Sequence, residues 1–160
     1  MTGTYVATVV WQRGEGEHFP DHRYSRAHDW LFDGGARVRA SASPRAVSPP
    51  LSDPSAVDPE EALVAALSGC HMLLFLWLAA QRGFSVLSYE DAASGTMSQG
   101  PDGREWITGV TLQPKVIFDG QKRPTKADVD ALHDESHERC YIANSVRTEI
   151  VVQARAEGTL

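Results

Sequence analysis

The clearest pattern along the chain is a run of apolar residues over 62–80, preceded by Asp58-Pro59-Glu60-Glu61 and followed by Gln81-Arg82-Gly83. The opening tetrad predicts a helix start. Asp58 serves as N-cap, Pro59 takes the first helical position where no amide proton is needed, and Glu61 completes a capping-box arrangement. Gly83 predicts the stop. A helix that is apolar on nearly all sides must be covered on nearly all sides, so the chain is expected to wrap a sheet around it and to form a homodimer.

Shorter segments carry the two-residue alternation of strands. Residues 4–13 (TYVATVVWQR), RYSRAHDWLFDG up to the turn Asp33-Gly34-Gly35, and ARVRASAS predict a three-stranded meander. The four prolines within PRAVSPPLSDPSAV exclude a regular element over 44–57, because proline lacks an amide donor and restrains the residue before it. After Gly83, FSVLSYEDAASGTM and REWITGVTLQPKVIFDG predict two long strands, joined as a hairpin at Gln99-Gly100-Pro101-Asp102-Gly103, with a bend at Gly109 or Pro114. Thr125 predicts the N-cap of a second helix, with Asp128 three residues on and Val129 and Leu132 on its apolar side. That helix runs toward Cys140, and TEIVVQARAEG predicts a closing strand. The expected class is α+β, antiparallel sheets wrapped around a buried central helix, in a single domain over 1–160.

Composition changes this picture little. With 160 residues, 42% hydrophobic content and a net charge of −6, the chain is long enough for one sizeable core and lacks the basic run that a nucleic-acid partner requires. The N-terminal MTGTYVATVV shows no basic leader, apolar core or cleavage signal, so export is not indicated and a reducing cytoplasm is the expected setting. The 62–80 run is near the lower limit for spanning a bilayer, but His71 in its middle, Ser68 and Gly69 beside it and the absence of flanking basic clusters speak against a membrane partner.

The candidate chemistry rests on two cysteines, Cys70 and Cys140. A thiol inside an apolar helix reads first as a small buried hydrophobe with a raised pKa, and it becomes a nucleophile only beside a cation. Cys140 falls near the end of the second helix, where the macrodipole disfavours a thiolate. This suits it to a resolving rather than an attacking role. His133, His137 and Cys140 occupy one helix face at i, i+4 and i+7, so a zinc site completed by Cys70 or His71 is an alternative reading.

The sequence from Asp58-Pro59-Glu60-Glu61-Ala62-Leu63 through Ala65-Ala66 to Ser68-Gly69-Cys70 resembles the signature of the OsmC/Ohr family, the osmotically inducible and organic hydroperoxide resistance proteins. The order of elements agrees over essentially the whole chain. The resemblance implies an intertwined α/β homodimer and a thiol peroxidase without cofactor, with Cys70 as peroxidatic and Cys140 as resolving cysteine. It implies that Glu60 pairs with an arginine beside the reactive sulfur, Arg26 being the first choice and Arg45 the second. It also implies hydroperoxides as substrates and a dithiol reductant, either a lipoylated protein or a thioredoxin-like one. Ten residues of straight helix separate Glu60 from Cys70 by roughly 15 Å, so a shared site needs a broken helix or a glutamate from the second subunit. Two departures mark a divergent branch: Cys140-Tyr141-Ile142 stands where the family has Cys-Pro, and Ala56-Val57-Asp58 where it has Gly-Thr-Asn. The main non-enzymatic alternative is a binding dimer with inert thiols.

Overall fold

Strand β1 (Ala7–Val10) lies antiparallel to β2 (His28–Phe32), which lies antiparallel to β3 (Arg37–Ala40), the predicted meander. The computed structural model describes residues 3–155, in two compact units that divide after Ala62. Gly35, at φ +87°, turns β2 into β3 in the left-handed backbone region that glycine enters without strain. The proline segment forms turns rather than an element. Ser41 and Val57 tie its ends together, Ser41 N donating to Val57 O at 3.0 Å and Val57 N to Arg39 O at 3.1 Å.

Helix α1 (Pro59–Gln81) is continuous, and both of its ends form as their residues predict. Glu61 N donates to Asp58 Oδ1 at 2.7 Å and Asp58 N donates to Glu61 Oε2 at 3.3 Å, the reciprocal pair of a capping box. At the other end Gly83 N bonds Ala80 O and Phe84 N bonds Ala79 O, a Schellman closure around a glycine at φ +76°.

The second unit holds two further sheets. Strand β4 (Val86–Asp91) pairs antiparallel with β7 (Pro114–Phe118). Strands β5 (Ser94–Gln99) and β6 (Glu105–Leu112) form the expected hairpin, and β8 (Glu149–Val152) adds to β6. The two long strands predicted from sequence are therefore four. The breaks fall at Ala92-Ala93 and at Gln113, and one carboxylate joins them: Asp91 Oδ1 accepts from Gln113 N at 2.6 Å. Pro114 marks the second break. Gly109 lies within β6 opposite Thr96, next to an irregularity in register. Pairing of β8 with β6 is parallel rather than antiparallel, because β8 arrives by a crossover through helix α2 (Lys126–Arg139) and not by a hairpin turn.

Two apolar clusters form the core of this unit. Phe75, Leu78, Ala79, Phe84, Val116, Phe118 and Leu132 make one; Leu67, Ile107, Val110 and Leu112 make the other. Helix α1 supplies residues to both. Its length and hydropathy would suffice to cross a membrane, yet Leu67, His71, Phe75, Leu78 and Ala79 are core positions of a folded unit. All-round burial, however, is not reached. Leu73 is 66% and Trp77 48% exposed, so one apolar stripe of α1 remains open.

Candidate functional site

The chemistry collects where α1 and α2 meet. Helix α2 begins at Thr125, whose side chain accepts from Asp128 N while the Asp128 carboxylate accepts from Thr125 N at 2.8 Å. Val129 and Leu132 face the Phe75 cluster. This anchors α2 so that its last residues reach α1. Cys140 is the C-cap of α2, with its own N–H bonded to His137 O.

The structure brings Cys70 and Cys140 together, although 70 positions separate them in sequence. Both are free thiols, Cys70 half-buried and Cys140 buried, and they lie close enough for the Cys70 thiol to act on the ionisation of Cys140. Burial pushes the Cys140 thiol up to about 11. The Ala143 N–H, 3.4 Å from Sγ, opposes the rise, the Cys70 thiol beside it adds to it, and the Ile142 N–H opposes it in turn. Cys140 is thus held as a protonated thiol against Cys70 at neutral pH. The short 3₁₀ turn Ala143–Ser145 after it, pinned by Asn144 Nδ2 donating to Cys140 O and Glu138 O at 2.9 Å, fixes that orientation.

A second pair bridges the same helices. His71 Nε2 and His133 Nδ1 are 3.0 Å apart, the rings stack within 11° of parallel, and both residues are buried. Phe75 covers His133 with ring centroids 4.5 Å apart. Burial lowers both imidazoles from 6.5 to about 4, so the pair is neutral at physiological pH. Among the described residues, His71 Nδ1 and His133 Nε2 have no hydrogen-bond partner. Sequence reasoning placed these histidines in a zinc set, but His133 turns to His71. Among the described residues no group of three or more His, Cys, Asp or Glu side chains is arranged to hold a metal ion. The signal for the pair was a polar ring in the middle of an apolar helix and a second histidine on the cysteine-bearing face of the next.

Ser68, two residues before Cys70, donates to Asp91 Oδ2 at 2.6 Å, so the carboxylate that joins the strand breaks also holds the helix turn leading to the thiol. Sequence reasoning gave Asp91 no role. Arg26 and Glu60 belong to the first unit. The Arg26 guanidinium bonds His22 O at 2.7 Å and Tyr24 O, and it lies 3.9 Å over the Tyr24 ring. Glu60 is half-buried in the first turn of α1, and Arg45 is exposed in the proline segment.

A family model described as OsmC-like protein matches residues 52–155. Among solved structures, an OsmC-like protein of unknown function from Vibrio cholerae is 47% identical with a TM-score of 0.95, over 96% of this chain and 100% of that one. OhrB of Bacillus subtilis, an organic hydroperoxide resistance protein, is similar in fold at 18% identity and a TM-score of 0.64, over 94% of this chain and 98% of that one. An organic hydroperoxide resistance protein OsmC from Legionella pneumophila matches at 16% identity and 0.65, over 98% and 100%. No curated protein matches the chain.

Proposed function

The chain belongs to the OsmC-like protein family, which includes hydroperoxide resistance proteins, and from that premise we propose that it is a two-cysteine thiol peroxidase of oxidative-stress defence. The carrying observation is the proximity of the free thiols of Cys70 and Cys140. Two thiols so placed in a reducing compartment serve a cycle rather than a permanent staple.

In this reading the Cys70 thiolate attacks the O–O bond of a hydroperoxide, forming an S–O bond and releasing an alkoxide that leaves as alcohol. Cys140 then attacks the sulfenic acid; an S–S bond forms and water departs. A lipoylated or thioredoxin-like dithiol returns both cysteines to thiols. Apolar neighbours one turn away on α1, such as Leu67, Leu73 and Leu74, favour organic hydroperoxides over hydrogen peroxide.

Arg26, fixed by Glu60, is the proposed cation beside Cys70. Because α1 is unbroken from Pro59 to Gln81, Glu60 serves Cys70 from the second subunit of a homodimer, and the working protein is a cytoplasmic dimer.

Mass spectrometry after one equivalent of tert-butyl hydroperoxide tests the reading. The expected product has lost two hydrogens, with Cys70 linked to Cys140. Unchanged thiols in the folded protein would overturn the peroxidase and favour the binding dimer, for which the high pKa of Cys140 speaks.

A further inference from the structure

A buried thiol that only fills space needs no hydrogen-bond donors, yet backbone donors are turned toward Cys140 Sγ. The Ala143 N–H lies 3.4 Å from the sulfur, and the Ile142 N–H also favours its anion. Both belong to the tight turn that takes the chain out of α2, Cys140-Tyr141-Ile142-Ala143. Side chains fix that turn: Asn144 Nδ2 donates to Cys140 O at 2.9 Å and Ser145 Oγ to Tyr141 O at 2.7 Å. N–H groups aimed at a sulfur stabilise negative charge on it far more than they stabilise S–H. The free thiol, raised to about 11, carries no such charge at neutral pH, and a disulfide carries none either. A thiolate bound to a metal ion does, and hydrogen bonds to the ligand atoms tune such sites.

The donor set decides which ion. Cys70 and Cys140 offer two sulfurs, the first half-buried and open to entry, the second 1% exposed. Other ligand-type side chains of these helices and of β4 are committed elsewhere: His71 and His133 to each other at 3.0 Å, and Asp91 to Ser68 Oγ and Gln113 N, each at 2.6 Å. Among the described residues no third His, Cys, Asp or Glu completes a metal-holding group. Zinc takes four ligands in a structural site, or three and a water in a catalytic one, while calcium and magnesium take oxygens. Copper(I) is soft, prefers thiolates and is satisfied by two of them in a line. We propose that Cys70 and Cys140 together form a two-coordinate site for copper(I). Binding balances without oxidation: the two S–H groups give their protons to solvent, two S–Cu bonds form, and copper stays monovalent. Metal binding drives the deprotonation of Cys140, and the N–H groups of Ala143 and Ile142 offset the single negative charge left on the pair. The transient thiolate of the disulfide-forming step uses the same donors, so copper binding shares the site of the proposed peroxidase without requiring its chemistry.

The test titrates the reduced protein anaerobically with copper(I), kept monovalent by excess ascorbate, against a chromogenic copper(I) chelator. The wild type should retain one equivalent, and X-ray absorption at the copper edge should show two sulfur neighbours and no imidazole. Cys70→Ser and Cys140→Ser should each lose retention. His133→Phe, which keeps a ring beside Phe75, should bind within about twofold of the wild type. Asn144→Ala frees the turn and should weaken binding about tenfold. In the loaded wild type both cysteines should resist iodoacetamide, and stripping the copper should restore their alkylation.

Failure of the folded, reduced wild type to retain copper overturns the site, as does retention that survives loss of either cysteine or an imidazole in the copper shell. One equivalent of tert-butyl hydroperoxide keeps the two readings apart. If the copper-free protein stays reduced under peroxide but binds copper, the site stands and the peroxidase falls. If peroxide links the cysteines but copper is not retained, the peroxidase stands and the site falls. If both occur, copper loading should slow the linkage by about tenfold or more; linkage at the copper-free rate with copper still bound would put the metal elsewhere and overturn the site.

Discussion

Cys140 and the histidines show how little residue type says without a partner. Cys140 is buried and protonated, which by itself describes an inert core thiol; proximity to Cys70 makes it a resolving candidate. Cys140→Ser should therefore leave first-turnover peroxide loss within about threefold while a dimedone-reactive sulfenic acid persists at Cys70. Mass spectrometry of the trapped adduct checks this, and a disulfide-free protein with no adduct would contradict it. The histidines make a stability prediction. Folding lowers both from 6.5 to about 4, so below pH 6.5 the unfolded chain binds more protons than the folded one. Stability is fully present above 6.5 and falls toward pH 4, by up to about 1.4 kcal/mol per pH unit for each histidine. Urea unfolding at pH 7 and pH 5.5 should show the loss, and His133→Phe should reduce it.

At the scale of elements, local chemistry sets the helix ends and close packing sets where they go. Thr125→Ala removes the side-chain acceptor for Asp128 N at the start of α2 and should cost about 1 kcal/mol in urea unfolding. Because α2 carries Cys140 to Cys70, the same variant should also slow disulfide closure. Gly95 tells a different story. A Cβ there would lie 2.7 Å from Val64 Cγ2, so β5 approaches α1 too closely for any side chain. Gly95→Ala should destabilise by about 1–3 kcal/mol, and Val64→Ala in the same chain should recover part of it. Additive losses would place the strain elsewhere. The four-strand arrangement has a comparable origin: Asp91, beside the first break, bonds Gln113 at the second and Ser68 on α1, and no local pattern announces an acceptor used by residues 22 and 23 positions away.

At the scale of the molecule, the open stripe of α1 is the unresolved apolar surface. Leu73 and Trp77 lie exposed on a helix whose other faces feed two cores, a pattern that marks an interface. Sedimentation should give a homodimer, and Trp77→Glu should shift it toward monomer at micromolar concentration; a monomeric wild type would remove the subunit-crossing role given to Glu60. Much of this was legible in the chain. The caps of α1 and α2, the meander, the β5–β6 hairpin turn and the apolar character of α1 follow from residue types within a few positions of one another, because capping, turn formation and periodicity are local. The parallel placement of β8, the split of the long strands, the proximity of Cys70 to Cys140 and the His71–His133 bond were decided only by the tertiary structure. Each joins residues far apart in sequence, and which distant groups meet depends on how whole elements pack rather than on the residues that carry them.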